Sequence, residues 1–548
     1  MLHRSLLCLL SIGALACAGC SQGPEAAPPL AAQTSEAYAV EEVPLSRIAA
    51  DLAEGKTTSV AVTRAYIARI EQYDDALNAV IGLAPDALEQ AAASDQRRKA
   101  GKPLGPLDGV PVLLKDNIDA AGMSTTAGSY ALIDNFPGVD SEVARRLRAA
   151  GVVILGKANT SQWAGLRTSD AFNGSTVGGS THNAYDLARS AAGSSNGSGI
   201  AAAVSFAAAT VGTDTTGSIV SPSSYNGVVG LRPTVGLISR RGIVPVSLTQ
   251  DTAGPMGRNV TDVAMLLTVL AGTDSADAAS AQADAHRTDY VQGLRRDALA
   301  GVRLGVLRGT RGDDEKTRPV LDAALQVLAQ QGAELVELPP DTLEDLSQEQ
   351  RLIMLYDFKE DVAAYLAGAP AAVKVRTLED LVAFNRTDPR ENIHAQDLFE
   401  AAAETQGGRA NPEYVATLAQ ARRRAGPEGY ARALSQFDVS AIVGITRGPA
   451  EIIPPDGQKG GHVAGKRKKG AVPPSISGVA ALAGYPNLSV PMGAVDGLPV
   501  GLSFVGPAWS EPLLLSLGYA YEQASQARVP PAAYKQFERS EQHQHGGL

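Results

Sequence analysis

Between Lys115 and Met256 the chain keeps to one arrangement: short apolar runs separated by stretches unusually rich in Gly, Ser and Thr. Such a pattern suits a twisted sheet whose strands are joined by long functional loops. Val110–Leu114 and Val152–Leu155 read as buried strands of that sheet, and Ser141–Ala150 as a helix between them. Further on, strand (Val302–Leu307), helix (Thr317–Gln331) and strand (Glu334–Leu338) alternate as α/β folds require.

The flanks add helices. Leu45, Ile48 and Leu52, then Val62, Tyr66 and Ile70, recur at helical steps; Leu77–Ile81 reads as a short strand and Pro85–Lys99 as a helix. An Ala-rich run, Ile200–Ala209, reads as a helix, Asp274–Leu299 as a surface connection, and Asp341–Phe437 as largely helical. Ala441–Val443, Asn487–Val490 and Val500–Val505 are strand candidates, and Pro512–Ser525 a closing helix. Ordinary hydrophobic content (44%) places the chain among globular proteins, and a formal charge of −10 argues against nucleic acid as a partner.

The first residues read as a targeting segment. Arg4 precedes an apolar stretch, Leu6–Ala16, and small residues lead to Cys20 in LACAGC. The expectation is a lipoprotein signal over 1–19, lipidation at Cys20 and a flexible tether over 20–43. A domain over 44–530 and a disordered tail over 531–548 would follow. The three cysteines, Cys8, Cys17 and Cys20, all lie in that first segment, so the fold must rest on its core rather than on disulfides. The expected setting is an exported monomer, lipid-anchored and facing the periplasm, or secreted if not lipidated.

Chemistry concentrates in three segments: VLLKDN with Lys115, AGSSNGSG with Ser194, and GTDTTGSIV with Ser218. The two serines are 24 positions apart, separated by the Ala-rich run, so both loops can share one face. Ser218 suits a nucleophile, because Thr215, Thr216, Gly217 and Ser218 itself can direct backbone N–H groups at one oxyanion. No histidine stands in the segment to activate it, so Lys115, at the end of an apolar strand, must act as a neutral base. Ser194 would relay the proton, with Ser195 as its decoy, while Asp214 braces the turn. Such a base works best at neutral to alkaline pH. No metal and no cofactor are needed.

Two neighbouring patterns are decoys. GVVILGKA (Gly151–Ala158) approximates a phosphate-binding loop, but its middle is a strand and Ala158 lacks the hydroxyl that would hold magnesium. GSSNG fits a nucleophile elbow without the strand that must precede it. The seven histidines show no metal-ligand spacing. A basic segment, Gly457–Gly470, stands out as either a solvated loop or a lip near the pocket or lipid.

These segments, with QDTAGPM (Gln250–Met256) and GYPNLSVPMGAVDGLPVGLSFVG (Gly484–Gly506), resemble the amidase signature family, and most closely its peptide amidase branch. The resemblance implies a single α/β domain with a large mixed sheet covered by helices on both faces. It also implies a Ser-Ser-Lys triad of Ser218, Ser194 and Lys115, with a cis peptide at the bridging serine. Hydrolysis of carboxylic amides, including C-terminal peptide amides, would follow. The partners would then be small-molecule or peptide amides. Alternatives within reach are an aryl acylamidase of the same fold and a catalytically weak ligand-binding lipoprotein. The chain departs from the pattern at Ala191-Ala192 before the first serine, at His182 and Ala184, at Thr216 in the hole, and at Val220, where an arginine is common.

Overall fold

Among the described residues, eleven strands line up in one sheet, and the sequence of pairings fixes where the chemistry lies. The computed structural model describes residues 38–168, 173–453 and 473–536. Cys20 and the basic segment 457–470 fall outside them. The first strands are β1 (Val80–Leu83), β2 (Pro111–Lys115), β3 (Val153–Ala158), a two-stranded hairpin β4 (Gly174–Ser175) and β5 (Gly179–Ser180), and β6 (Ala209–Asp214). Then follow β7 (Val229–Arg232), β8 (Thr252–Gly257), β9 (Arg303–Val306), β10 (Glu334–Glu337), β11 (Ala441–Arg447), β12 (Asn487–Val495) and β13 (Leu498–Val505). The large sheet runs β1-β3-β2-β6-β8-β7-β12-β13-β11-β9-β10.

The sheet is mixed. β2 pairs in parallel with both β3 and β6, while β8 runs antiparallel to β6 and β7. β2, β3, β6 and β8 are buried along their whole length, which requires cover on both faces. Helices provide it, so the α/β expectation holds. Gly151–Ala158 contains strand β3 rather than a phosphate cradle.

Three expectations need correction. The Ala-rich run is not one helix: the helix closes at Ala203, Ser205 takes a left-handed φ of 59°, and Ala209 opens β6. Ala207, Ala208 and Ala209 are fully buried. Ala207 and Ala208 lead into the strand and Ala209 opens it opposite Val112 of β2, with Thr210 next between Leu113 and Met256 of β8; that buried pairing overrides alanine's helical preference. The tether does not extend to residue 43, because Val40 is buried, Tyr38 donates to Asp51 at 2.9 Å, and Arg258 holds the Val43 carbonyl at 2.6 Å. Nor is the C-terminal stretch free from residue 531: Tyr534 is buried and meets Tyr73 edge-on at 5.3 Å.

Helices between Ser347 and Ala403 form a second core over the loops that follow β2 and β3. Trp163 meets Phe399 at 5.7 Å and Phe358 at 6.3 Å, both edge-to-face. A buried ion pair, Arg167 with Glu391, ties this layer to the sheet side. Glu391 also accepts from Ser129 Oγ (3.0 Å), Tyr130 N–H (2.7 Å), Gln162 Nε2 (2.7 Å) and Thr176 Oγ1 (2.8 Å). With so many donors aimed at one carboxylate, Glu391→Ala leaves a buried guanidinium unpaired. It should destabilise the fold by about 3–5 kcal/mol. Urea unfolding of the two proteins checks this; a loss under about 1 kcal/mol would mean the network is dispensable.

Candidate active site

Lys115 ends β2 and is wholly buried. Its Nζ lies 2.7 Å from Ser194 Oγ, 2.8 Å from Thr213 Oγ1 and 3.4 Å from the Thr213 carbonyl. Burial pulls its pKa down from 10.5 to about 7, against the opposing pull of Asp214 and Asp251. A lysine of ordinary pKa holds its proton at neutral pH; this one is poised to give it up.

Ser194 is buried and is joined to Gly193 by a cis peptide, as the resemblance implied. Its carbonyl accepts from Ser161 N–H and Thr160 Oγ1, both at 3.0 Å. The helix Asn196–Ala203 starts two residues on, after Ser195, close against the backbone of Ala79 and Asn159, which flank β1 and β3. Gly197 makes this approach possible: a Cβ there would lie 2.4 Å from the Ala79 carbonyl and 2.5 Å from the Asn159 backbone. Ser195 is occupied elsewhere. Its hydroxyl donates to the Thr213 carbonyl at 3.0 Å and accepts the Thr213 N–H at 3.2 Å.

Ser218 stands in the turn after β6, and its carbonyl accepts from Ser195 N–H at 3.1 Å. One hydrogen bond thus joins the two serine loops. Ser218 is half-buried, and its hydroxyl has no hydrogen-bond partner among the described residues. Asp214 shapes the turn by accepting from Gly217 N–H and Ile219 N–H, each at 2.7 Å. Gly217 itself adopts φ +123°, which a side chain would strain.

This bracing corrects the expected set of oxyanion donors. The Gly217 N–H is spent on the Asp214 carboxylate, so it does not point at a substrate oxygen. Thr215, Thr216 and Ser218 keep N–H groups with no backbone or side-chain acceptor among the described residues. Asp214 therefore braces the turn as expected, and its reach into the turn removes one donor.

Other residues complete the site. Thr213 takes Lys115's second hydrogen bond, and Asn117 Nδ2 donates to the same Thr213 hydroxyl at 3.0 Å. Both belong to segments already singled out, LKDN and GTDTTGS, so their proximity to Lys115 was within reach of the sequence. Asp251 also lies in a segment singled out, QDTAGPM, but its place beside the turn depends on pairing across the chain: it accepts from Thr215 Oγ1 at 2.5 Å and from Val246 and Ser247 N–H at 2.8 and 2.9 Å. Only the β6–β8 pairing brings it there. A small cavity lies behind the turn, lined by Asn117, Thr213, Thr215 and Asp251, but Ser218 does not border it. Among the described residues, no cluster of His, Cys, Asp or Glu could hold a metal, and no helix is long and apolar enough to cross a membrane.

Comparison with known proteins agrees with this geometry. The family model described as Amidase matches residues 61–515. A probable amidase of Arabidopsis thaliana is 34% identical over 512 residues, covering 91% of this chain and 93% of the relative. A glutamyl-tRNA(Gln) amidotransferase component of Halorhodospira halophila is 34% identical over 490 residues, covering 88% and 97%. Among solved structures, the native peptide amidase from Stenotrophomonas maltophilia superposes with a TM-score of 0.83 at 42% identity, covering 90% of this chain and 98% of that one. Peptide amidase PAM in complex with the competitive inhibitor chymostatin gives 0.83 at 43%, covering 90% and 99%. A match spanning most of the chain places this protein in the amidase signature family of amide-hydrolysing enzymes.

Proposed function

We propose that this enzyme hydrolyses C-terminal peptide amides through an acyl-enzyme on Ser218, with Lys115 as base and Ser194 as relay. One observation carries the mechanism: a wholly buried Lys115 Nζ, 2.7 Å from Ser194 Oγ, with a pKa lowered to about 7. Neutral Lys115 takes the Ser194 proton as Ser194 takes that of Ser218, and Ser218 Oγ bonds to the amide carbon. Negative charge passes to the former carbonyl oxygen, where the Thr215, Thr216 and Ser218 N–H groups receive it. The proton returns through Ser194 to the leaving nitrogen, the C–N bond breaks, and ammonia departs. Water then attacks the ester by the same relay, releasing the carboxylic acid and restoring Ser218.

The substrate class rests on likeness to peptide amidase over 90% of the chain at 42–43% identity. Hydrolysis of peptide amides by the purified domain should release ammonia and should fall at least a thousandfold in Ser218→Ala and Lys115→Ala. Because the base must be neutral, kcat/KM should rise with pH through a midpoint near 7 and lose about tenfold per unit below it. Cleavage of aryl anilides alone would refute the peptide-amide reading. A midpoint unrelated to neutral pH would refute the lysine base.

We also propose an envelope location through lipid on Cys20, supported by the LACAGC pattern after an apolar stretch. Cells fed an alkyne fatty acid should label the full-length protein and fail to label Cys20→Ser. An unlabelled wild type would remove the anchor.

A further inference from the structure

Arg232 ends β7, yet its guanidinium reaches past the intervening β8 to the last residue of β6. It is wholly buried, as is its partner Asp214. Nη1 donates to Asp214 Oδ1 at 2.7 Å and to the Asp214 carbonyl at 2.8 Å, and Nη2 donates to the Gln250 carbonyl at 2.6 Å. The same Asp214 carboxylate holds the N–H groups of Gly217 and Ile219, the residues on either side of Ser218. One ion pair therefore sets the backbone around the nucleophile.

The pair also lies next to Lys115. Thr213, which precedes Asp214, supplies both of the Lys115 contacts other than Ser194. Two carboxylates act on Lys115, Asp214 and Asp251, and both favour its charged form. Asp251 is satisfied by Thr215 and two backbone N–H groups and feels Arg240, which itself pairs with Asp277. Asp116, next along the chain, is held by Gly128 N–H at 3.2 Å and faces Lys157 at 3.9 Å. For Asp214 the compensating cation is Arg232, the one group in ion-pair contact with it among the described residues.

We propose that Arg232 is a positioning residue for amide hydrolysis: it holds Asp214 so that the Ser218 turn keeps its shape, and its charge opposes, without removing, the pull of that carboxylate on Lys115. This rests on the Ser-Ser-Lys reading above. A polar chain extends the hold outward. Gln250 Oε1 accepts from Gln350 Nε2 at 2.7 Å, and the same nitrogen donates to the Gly478 carbonyl at 3.1 Å. Next to Gly478, Ser477 packs against the turn: a Cβ at Gly217 would stand 3.3 Å from that of Ser477. The arginine thus joins the nucleophile turn to two helices, Ser347–Ala367 and Ile476–Ala483.

The test follows the rate at which a fluorophosphonate labels Ser218, from pH 5 to 10, in wild type, Arg232→Met, Arg232→Lys and Arg232→Met/Asp214→Asn. Wild type should show a midpoint near 7. Arg232→Met should raise that midpoint by about one unit, as an uncompensated carboxylate does to a nearby cation. Arg232→Lys should bring it back. The double variant, with neither charge, should also return it toward the wild-type value while labelling more slowly on the plateau. A folded Arg232→Met that loses rate equally at every pH would overturn the proposal, leaving the arginine a packing residue. Should Arg232→Met not fold, Asp214→Asn decides: it should lower the midpoint below wild type, and an unmoved midpoint overturns the proposal. A wild type unlabelled at Ser218 would instead refute the serine-nucleophile reading itself.

Discussion

Everything in this active site depends on keeping one lysine dry. Lys115 is wholly buried at the end of a strand with parallel neighbours on both sides, and that burial lowers its pKa to about 7. Removing a charged ammonium from water is costly, and at neutral pH giving up the proton relieves the cost. A free amine 2.7 Å from a serine hydroxyl is a base. Histidine is then unnecessary, and the sequence offers none in these segments.

The scaffold supplies the rest by placing loop starts side by side. β2 and β6 are adjacent and parallel, so Lys115 and the Ser218 turn emerge from the same edge. The Ser194 loop is held against them by short backbone contacts, Ser195 N–H to the Ser218 carbonyl and Ser161 N–H to the Ser194 carbonyl. The serines thus sit on loops of fixed shape, with glycine admitted where the backbones press closest, at Gly197. The buried carboxylate of Asp214 performs two structural tasks in the same turn and removes Gly217 from the set of donors available to a substrate.

Much of this is legible from residues alone. Lys115, the Ser218 turn and the bracing Asp214 follow from local chemistry, and the strands bearing them from short apolar runs between Gly-rich stretches. Spacing selects Ser194 over Ser195; the structure adds the reason, since Ser195 is used up on the Thr213 backbone. What is not legible depends on pairing across the chain. Ala209 looks helical until β2 pairs with it. Arg232 and Asp251 look like ordinary residues of their segments until the order β6-β8-β7 brings both to the turn. Glu391 lies in the stretch that reads as largely helical, where the sequence singles out no functional residue, and it anchors that stretch to Arg167.

The central claim concerns the protonation of one side chain, so the decisive measurement watches that side chain. Protein carrying 13C at lysine Cε would be titrated by NMR, with the Lys115 signal assigned by its loss in Lys115→Met. The account predicts a midpoint near 7. A midpoint near 10.5, the value of a lysine in water, would contradict it and leave Ser218 without its base.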